Sequence, residues 1–288
     1  MPMTGQDQHL SHNQIHALKT LKGYEENPGH SMWPHVDRFA LIRQLEDRVR
    51  TPSHINQKNT GWCGPAAVLE SMATDAPNTY VKMVLDLLHH GHATVHHGHL
   101  STIKLTTTAT LRHYAFGGTQ VASADWVPLS TIRESVKYAH NHSQAWYVKN
   151  GTYPADLVRF YRELGYSQVH NHTSVHNFVG PLENQATHHL NNHFGHGFRV
   201  SMFINDDLLY EHRQNNNVDK HPTSVKRNHY VDLISQIAIQ YKHPIEHSLV
   251  AMHIFSWGSG DQYSIPFHRK LTLKAFASNF FGFVGARY

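Results

Sequence analysis

The single cysteine of the chain, Cys63, lies in a segment whose composition suits a nucleophile. It is followed by Gly64, Pro65 and small residues, a pattern that predicts the first turn of a helix. The N-terminus of a helix carries about half a positive charge, which favours a thiolate over a thiol. Gln57 precedes the cysteine by six residues and can present a side-chain amide to the same reacting carbonyl. This pattern predicts thiol chemistry on an acyl or amide carbonyl.

The second candidate residue is His229, which lies far downstream at the start of an apolar run. A cysteine followed much later by a histidine is the chain order of several thiol hydrolases. We expect an ion pair between the imidazolium and the Cys63 thiolate, in which His229 protonates the leaving amine. The backbone N–H of Cys63 and the side chain of Gln57 are expected to hold the developing oxyanion.

The elements that must position these residues follow from the hydrophobic period. Besides the helix that begins at Cys63, several segments have the apolar spacing of helices; they are residues 36–50, 78–90, 126–138, 153–164 and 183–193. After residue 196 the pattern alternates as in strands, and the segments concerned are residues 197–205, 228–240, 248–257 and 280–287. Helices followed by antiparallel strands predict an α+β fold with a cleft between the halves.

The chain is long enough for one large domain or two small ones. We expect a catalytic domain over residues 36–288, mainly helical over 36–195 and mainly β over 196–288. Residues 1–35 are polar and contain a Pro-Gly pair, and they are expected to form a loosely held N-terminal arm.

The segment from Gln57 to Ala67 resembles the papain-like superfamily of cysteine peptidases, and its Cys-Gly-Pro sequence is most similar to the C39-like branch. His229 precedes a Tyr-Val pair, as the family histidine usually does, and residues 255–260 resemble the Asn-Ser-Trp-Gly stretch that follows it. The resemblance implies a papain-like α+β fold, in which a helical half packs on a C-terminal antiparallel sheet and the active-site cleft lies between them.

The third catalytic member is where this sequence departs from the family pattern. The family's asparagine falls on Phe255, which cannot orient an imidazole. Asp232 lies three residues after His229, so on a strand its side chain would face the opposite side. Ser256 and Asp261 are left as candidates for the third member. A Cys-His dyad, with the ring held by packing under a tryptophan, is the alternative.

The resemblance implies a cysteine protease that cleaves a peptide bond in a protein or peptide substrate, of the bacterial secreted effector or toxin type. We assign Gly61, Trp62 and Trp257 to substrate binding, and an immunity or inhibitor protein is a candidate partner. Three alternatives use the same residues differently. They are a peptidoglycan amidase or endopeptidase, a transglutaminase or deamidase, and an inactive papain-like binding module.

Composition limits the partners and the location. The formal net charge is only +4 and the 25 Lys and Arg residues are scattered, so no nucleic-acid partner is expected. The N-terminus lacks the pattern of a cleaved secretory signal, and no stretch approaches the roughly 20 apolar residues that span a bilayer. We therefore expect a protein that is cytoplasmic, or secreted or injected without a cleaved signal peptide.

Histidine is unusually frequent, with 29 residues in the chain. One cluster covers residues 89–99, another covers residues 188–196, and a His-Asn-His sequence lies at residues 170–172. His189 and His193 have the i, i+4 spacing that places two rings on one helix face. Neither cluster contains a cysteine or a carboxylate, and Asn and Gln are also abundant. Solvated histidines are therefore the default expectation, with no metal and no cofactor.

Overall fold

The structure is a computed structural model. It describes residues 10–58, 60–97, 101–137, 152–173, 183–205, 208–209, 229–256 and 263–288. The chain divides into two compact units. Unit 1 contains Met1–Asn150, Glu163–Gly165 and Gly258–Gly260, and unit 2 contains Gly151–Arg162, Tyr166–Trp257 and Asp261–Tyr288. Helices together with antiparallel strands confirm the predicted α+β class.

Unit 1 is mainly helical. Its helices are α1 (His12–Glu26), α2 (Arg38–Arg50), α3 (Cys63–Asp75), α4 (Pro77–His90), α5 (Ala109–Arg112) and α6 (Ser123–Lys137). A hairpin of strands β1 (His92–His97) and β2 (Ser101–Thr106) follows α4. Helix α3 is the centre of this unit, since every residue from Cys63 to Ala73 is buried. Its small and apolar residues on all sides are typical of a helix surrounded by protein.

The helices predicted over residues 36–50 and 78–90 are confirmed as α2 and α4. Asp37 caps α2, because its carboxylate accepts from the backbone N–H groups of Phe39 and Ala40. Helix α4 ends at Gly91, whose φ of 65° is a left-handed conformation that glycine adopts without strain. The β1–β2 hairpin was not expected from the sequence.

The N-terminal segment differs from the loosely held arm that the sequence indicated for residues 1–35. Residues His12–Glu26 form a helix whose first turn has a capping box between Ser11 and Gln14. Helix α1 packs on α2 and α4 and buries Leu21 completely. After it, Trp33 is also buried and its indole N–H donates to the carbonyl of Leu87. Polar residues dominate the composition of α1, and its buried apolar positions are few, which makes the helix hard to predict from the hydrophobic period.

Unit 2 is built on an antiparallel sheet. Its helices are α7 (Pro154–Glu163), α8 (Glu183–Gly195) and α9 (Leu273–Ser278). Its strands are β3 (Gln168–Asn171), β4 (Arg199–Ile204), β5 (His229–Leu233), β6 (Ala238–Gln240), β7 (Leu249–Phe255), β8 (Tyr263–Ile265) and β9 (Phe280–Arg287). The strand order is β3-β9-β4-β5-β7-β6, and β8 pairs with β7.

The last strand occupies an interior position of this sheet. Strand β9 lies between β3 and β4, and all its residues except Arg287 are buried. Helices α8 and α9 pack on the sheet, and Leu190 of α8 is part of its apolar core. Because α7 and α8 belong to unit 2, the division between the units does not follow the boundary expected after residue 195.

In the part of the chain that the structure describes, no helix combines the length and the apolar composition needed to cross a membrane.

Candidate functional site

Cys63 is the first residue of α3, as the sequence predicted, and its side chain is buried. The residue before it, Trp62, occupies the N-cap position and its side chain makes no hydrogen bond to the first turn. A helix begins with backbone N–H groups that no intrahelical carbonyl accepts. An N-terminus whose cap residue supplies no acceptor suits a thiolate or an oxyanion.

Gln57 is buried in the loop before α3, with 2% of its surface exposed. Its backbone carbonyl accepts from both the N–H and the hydroxyl of Thr60, at 3.3 and 2.8 Å. Its side-chain oxygen Oε1 is buried and has no hydrogen-bond partner among the described residues. A buried polar atom without a partner costs about 1–3 kcal/mol, and such atoms are rare in packed cores. Gln57 is thus not a solvated loop residue.

A buried ion pair between Arg48 and Asp125 contacts the start of the Gln57 loop. Arg48 of α2 donates to both carboxylate oxygens of Asp125 of α6, at 3.2 and 2.8 Å. The same carboxylate accepts from the backbone N–H of Asn56 at 3.2 Å, one residue before Gln57. Burial raises the pKa of Asp125, and the Arg48 guanidinium opposes that increase. The pair therefore ties the start of the Gln57 loop to two helices of unit 1.

The two residues between this loop and Cys63 were assigned to substrate binding. Gly61 is exposed and has a φ of 71°, a left-handed conformation that favours glycine. Trp62 is half-buried, and its ring centroid lies 5.2 Å from that of Trp126. Trp126 in turn stacks on Phe116 with ring centroids 5.0 Å apart. This aromatic packing holds Trp62 in place beside the start of α3.

His229 begins β5, as the sequence predicted, and is 3% exposed. It lies opposite Ile204 of β4 in the antiparallel register. The next residue, Tyr230, stacks on Phe203 with ring centroids 4.7 Å apart. Every residue of β5 is buried. The backbone of His229 is therefore held in the interior of the sheet of unit 2.

Ser256 follows β7 directly, and its Oγ lies 2.9 Å from Nε2 of His229. Both side chains are buried. Burial lowers the pKa of His229 to about 3, because a protein interior disfavours the charged ring. The imidazole is therefore neutral at pH 7. This disagrees with the imidazolium that the sequence argument expected in a preformed ion pair.

Asp232 takes part in a different set of contacts on β5. Its carboxylate accepts from the hydroxyl of Ser201, and the Ser201 hydroxyl lies 2.7 Å from that of Tyr161. Asp232 thus points toward β4 and α7, as its three-residue offset from His229 indicated. Two other assigned residues, Asp261 and Trp257, lie outside the described residues.

Unit 2 also contains a cluster of histidines, the residue type that most often binds metal ions. One ring nitrogen from each of His170, His172 and His193 lies within 4.8 Å of the other two. Burial, together with the repulsion among neighbouring imidazoles, lowers the pKa of His172 to about 4. Burial also lowers the pKa values of His189 and His193. A neutral imidazole keeps a nitrogen lone pair that can bind a metal ion.

Sequence reasoning named these histidines but did not predict their meeting. Two signals were present. His170 and His172 are two residues apart, which on a strand points both rings to one face, and His189 and His193 are one helical turn apart. Tertiary packing brings the strand face next to the helix face. This contact cannot be predicted from a local sequence pattern.

Comparisons with protein-family models, curated proteins and solved structures find no match to this chain. The function is therefore argued from the residues described above.

Proposed function

We propose that this chain is a papain-like cysteine hydrolase whose reaction is cleavage of a peptide bond in a protein substrate. The observation that carries the proposal is the position of Cys63, the first residue of a buried helix, directly after a loop that buries Gln57. A buried imidazole hydrogen-bonded to a hydroxyl, His229 with Ser256, supplies the second half of the chemistry.

In this mechanism His229 is a neutral general base, because burial lowers its pKa. Its Nε2 is bonded to Ser256, so Nδ1 takes the proton from the Cys63 thiol as the sulfur attacks the carbonyl carbon. The C–S bond forms and the carbonyl oxygen becomes an oxyanion. The protonated ring then gives its proton to the leaving nitrogen as the C–N bond breaks. Water hydrolyses the thioester in the reverse sequence of proton transfers and regenerates the thiol.

The oxyanion is held by the Cys63 backbone N–H and the Gln57 carboxamide. Loss of one such donor typically reduces turnover by about 10²–10³. The mechanism uses the tautomer in which Nε2–H of His229 donates to Oγ of Ser256, 2.9 Å away, which leaves the lone pair on Nδ1. Gly61, Trp62 and Trp257 are proposed to contact the substrate. Ser256 is proposed as the third member because its hydroxyl contacts the imidazole directly.

By analogy with enzymes of this class, we propose a bacterial effector or toxin that is cytoplasmic, or secreted or injected without a cleaved signal peptide. Its candidate partners are a protein substrate and an immunity or inhibitor protein.

The proposal requires the sulfur of Cys63 and the ring of His229 to meet, and disulfide trapping tests this. His229→Cys creates a protein with two cysteines, which form a disulfide only when their Cα atoms lie about 4.4–6.8 Å apart. We expect mild oxidation to close an intramolecular disulfide, seen by mass spectrometry after thiol alkylation. Tyr241→Cys is the control, because Tyr241 is an exposed residue of unit 2. A folded His229→Cys protein whose two thiols neither form a disulfide nor are joined by a short bifunctional thiol cross-linker would rule out the pair.

Activity is tested by incubating the full chain, and its Cys63→Ala variant, with a protein mixture and with purified cell-wall sacculi. New protein N-termini that require Cys63 would support the protease. Amine release from sacculi alone would indicate the peptidoglycan amidase or endopeptidase. Ammonia release from glutamine would indicate the transglutaminase or deamidase. No turnover, combined with a Cys63 that iodoacetamide does not label at neutral pH, would indicate the binding module.

A further inference from the structure

Four histidines of unit 2 converge from one strand and one helix. His170 lies on β3 and His172 directly follows it, while His189 and His193 lie one turn apart on α8. The ring centroids of His172 and His193 are 4.8 Å apart, and those of His172 and His189 are 4.4 Å apart. No other group of three metal-ligating side chains this close was found among the described residues.

We propose that His170, His172 and His193 form a binding site for a divalent cation of the zinc class. Three imidazole ligands leave one position of a tetrahedral ion for water or another ligand. The ring centroid of His189 lies 4.4 Å from that of His172 and 4.7 Å from that of His193. Imidazole nitrogens without carboxylates suit zinc, copper or nickel and do not suit magnesium or calcium.

The first argument is a distance. Nδ1 of His170 and Nε2 of His193 lie 3.3 Å apart. Two nitrogens bound to a tetrahedral zinc ion at about 2.0–2.1 Å from the metal are themselves about 3.3 Å apart. The pair therefore already has the separation that a zinc ion requires. Without a metal, one nitrogen must carry a proton and donate it to the other, and a bound cation would replace that proton.

The second argument is the tautomer of His193. Its Nδ1 lies 3.2 Å from the backbone carbonyl oxygen of His189. A carbonyl only accepts, so Nδ1 carries the hydrogen and Nε2 holds the lone pair. Metal-binding histidines commonly make this contact, in which the other ring N–H donates to a backbone carbonyl and fixes the ring. The helix thus presents the ligand nitrogen of His193 toward His170.

The third argument is a buried nitrogen. Nε2 of His172 is buried and has no hydrogen-bond partner in the described part of the chain. Buried ring nitrogens normally have a partner, so this one is an exception that calls for an explanation. A metal ion bound beside His170 and His193 would supply the missing contact.

The floor of the site is apolar and closely packed. The ring of Phe198 lies 5.0 Å from that of His170, and the ring of Phe283 lies 4.8 Å from that of His172. Position 285 of β9 is a glycine, and a Cβ there would come within 3.1 Å of the His193 ring. Aromatic packing alone explains the close rings, but it does not explain why one nitrogen from each of three histidines lies within 4.8 Å of the other two.

Zinc binding to the full chain tests the proposal, measured by competition with a chromophoric chelator. We expect one tight site in the wild type and at least a roughly tenfold weaker affinity in His170→Gln and in His193→Gln. The double variant His12→Gln/His16→Gln is the matched control, because it removes an exposed i, i+4 pair from α1. Its zinc affinity should equal that of the wild type. Equal affinity in all variants would overturn the proposal.

X-ray absorption of the zinc-loaded wild type gives a readout that does not depend on any variant folding. The expected spectrum shows at least three imidazole ligands and no sulfur, and it is unchanged in Cys63→Ala. A sulfur ligand would assign the zinc to Cys63 and would overturn the site. The outcome is independent of the hydrolase proposal, because the site uses none of its catalytic residues.

Discussion

Nε2 of His229 and Oγ of Ser256 lie 2.9 Å apart in the interior of unit 2. In the papain-like enzymes that the sequence resembles, an asparagine orients the histidine, and the resemblance puts Phe255 at that position. The residue after it, Ser256, contacts the ring instead. A hydroxyl can accept one hydrogen bond from the ring and can rotate about its C–O bond. The Ser256 hydroxyl and the buried surroundings of β5 thus help to hold the imidazole.

The first prediction concerns this contact. Ser256→Ala removes the hydroxyl that Nε2 of His229 contacts in the buried interior, so we expect the free energy of unfolding to fall by about 1–3 kcal/mol. Turnover should also fall, because the ring loses its orientation, and Ser256→Asn should restore part of it. Urea unfolding and kcat measure the two effects. Ser235→Ala is the control, since the Ser235 hydroxyl makes only a long contact of 3.4 Å. Equal stability and kcat in wild type and Ser256→Ala would contradict the orienting role.

The second prediction concerns pH. Burial lowers the pKa of His229 to about 3, whereas an unfolded histidine has a pKa of about 6.5. Below pH 6.5 the unfolded chain binds a proton that the folded chain excludes, so stability falls as the pH falls toward 3. The His229→Gln variant has no titrating group at this position, so this contribution to the pH dependence is absent. Between about pH 6 and 4 the wild type should lose up to roughly 1.4 kcal/mol more per pH unit than the variant.

Denaturant unfolding at several pH values measures this difference. His253→Gln is the control, because His253 is an exposed residue of β7. Its stability should follow the wild-type curve. Parallel curves for wild type and His229→Gln would show that the imidazole titrates equally in the folded and unfolded chains.

The third prediction concerns the buried ion pair below the Gln57 loop. Asp125→Asn removes the buried carboxylate that accepts from Arg48 and from the Asn56 N–H, and it leaves Arg48 paired only with the half-exposed Asp47. We expect a loss of about 1–3 kcal/mol in the free energy of unfolding. Asp86→Asn is the control, since Asp86 and His90 form an exposed contact at 3.8 Å. That change should stay within about 0.5 kcal/mol. A similar small effect for Asp125→Asn would mean that the pair does not stabilise unit 1.

The fourth prediction concerns Gly282 of β9, where φ is +106°. A Cβ at this position would lie 2.2 Å from the backbone oxygen of His172. Gly282→Ala should therefore lower the free energy of unfolding by at least about 2 kcal/mol, because the backbone must move. Gly117→Ala is the control, since a Cβ there meets no atom within 4 Å. Thermal unfolding of both variants measures the difference, and equal Tm values would contradict the clash.

Local patterns in the sequence were enough to predict many elements. The apolar period of α2 and α4 appears within a few turns, and the small residues after Cys63 mark the start of α3. Alternation predicted β4, β5, β7 and β9, and with β5 the position of His229 at the start of a strand. These features depend on residues that are neighbours along the chain, so they are visible in the sequence.

Contacts between distant residues were decided only by tertiary packing. The choice of Ser256 over Asp232 as the partner of His229 depends on how β5 pairs with β4 and β7. His229 is neutral because it is buried, and its burial cannot be predicted from the composition of the chain.

The histidine cluster shows the same division between sequence and structure. The sequence alone gives the spacing of the four histidines, which is two residues for His170 and His172 and four residues for His189 and His193. Their convergence requires β3 to pair with β9 at the edge of the sheet and α8 to pack on that sheet. Strand pairing and helix packing bury apolar surface between segments that are far apart along the chain, and no local period encodes which segments meet.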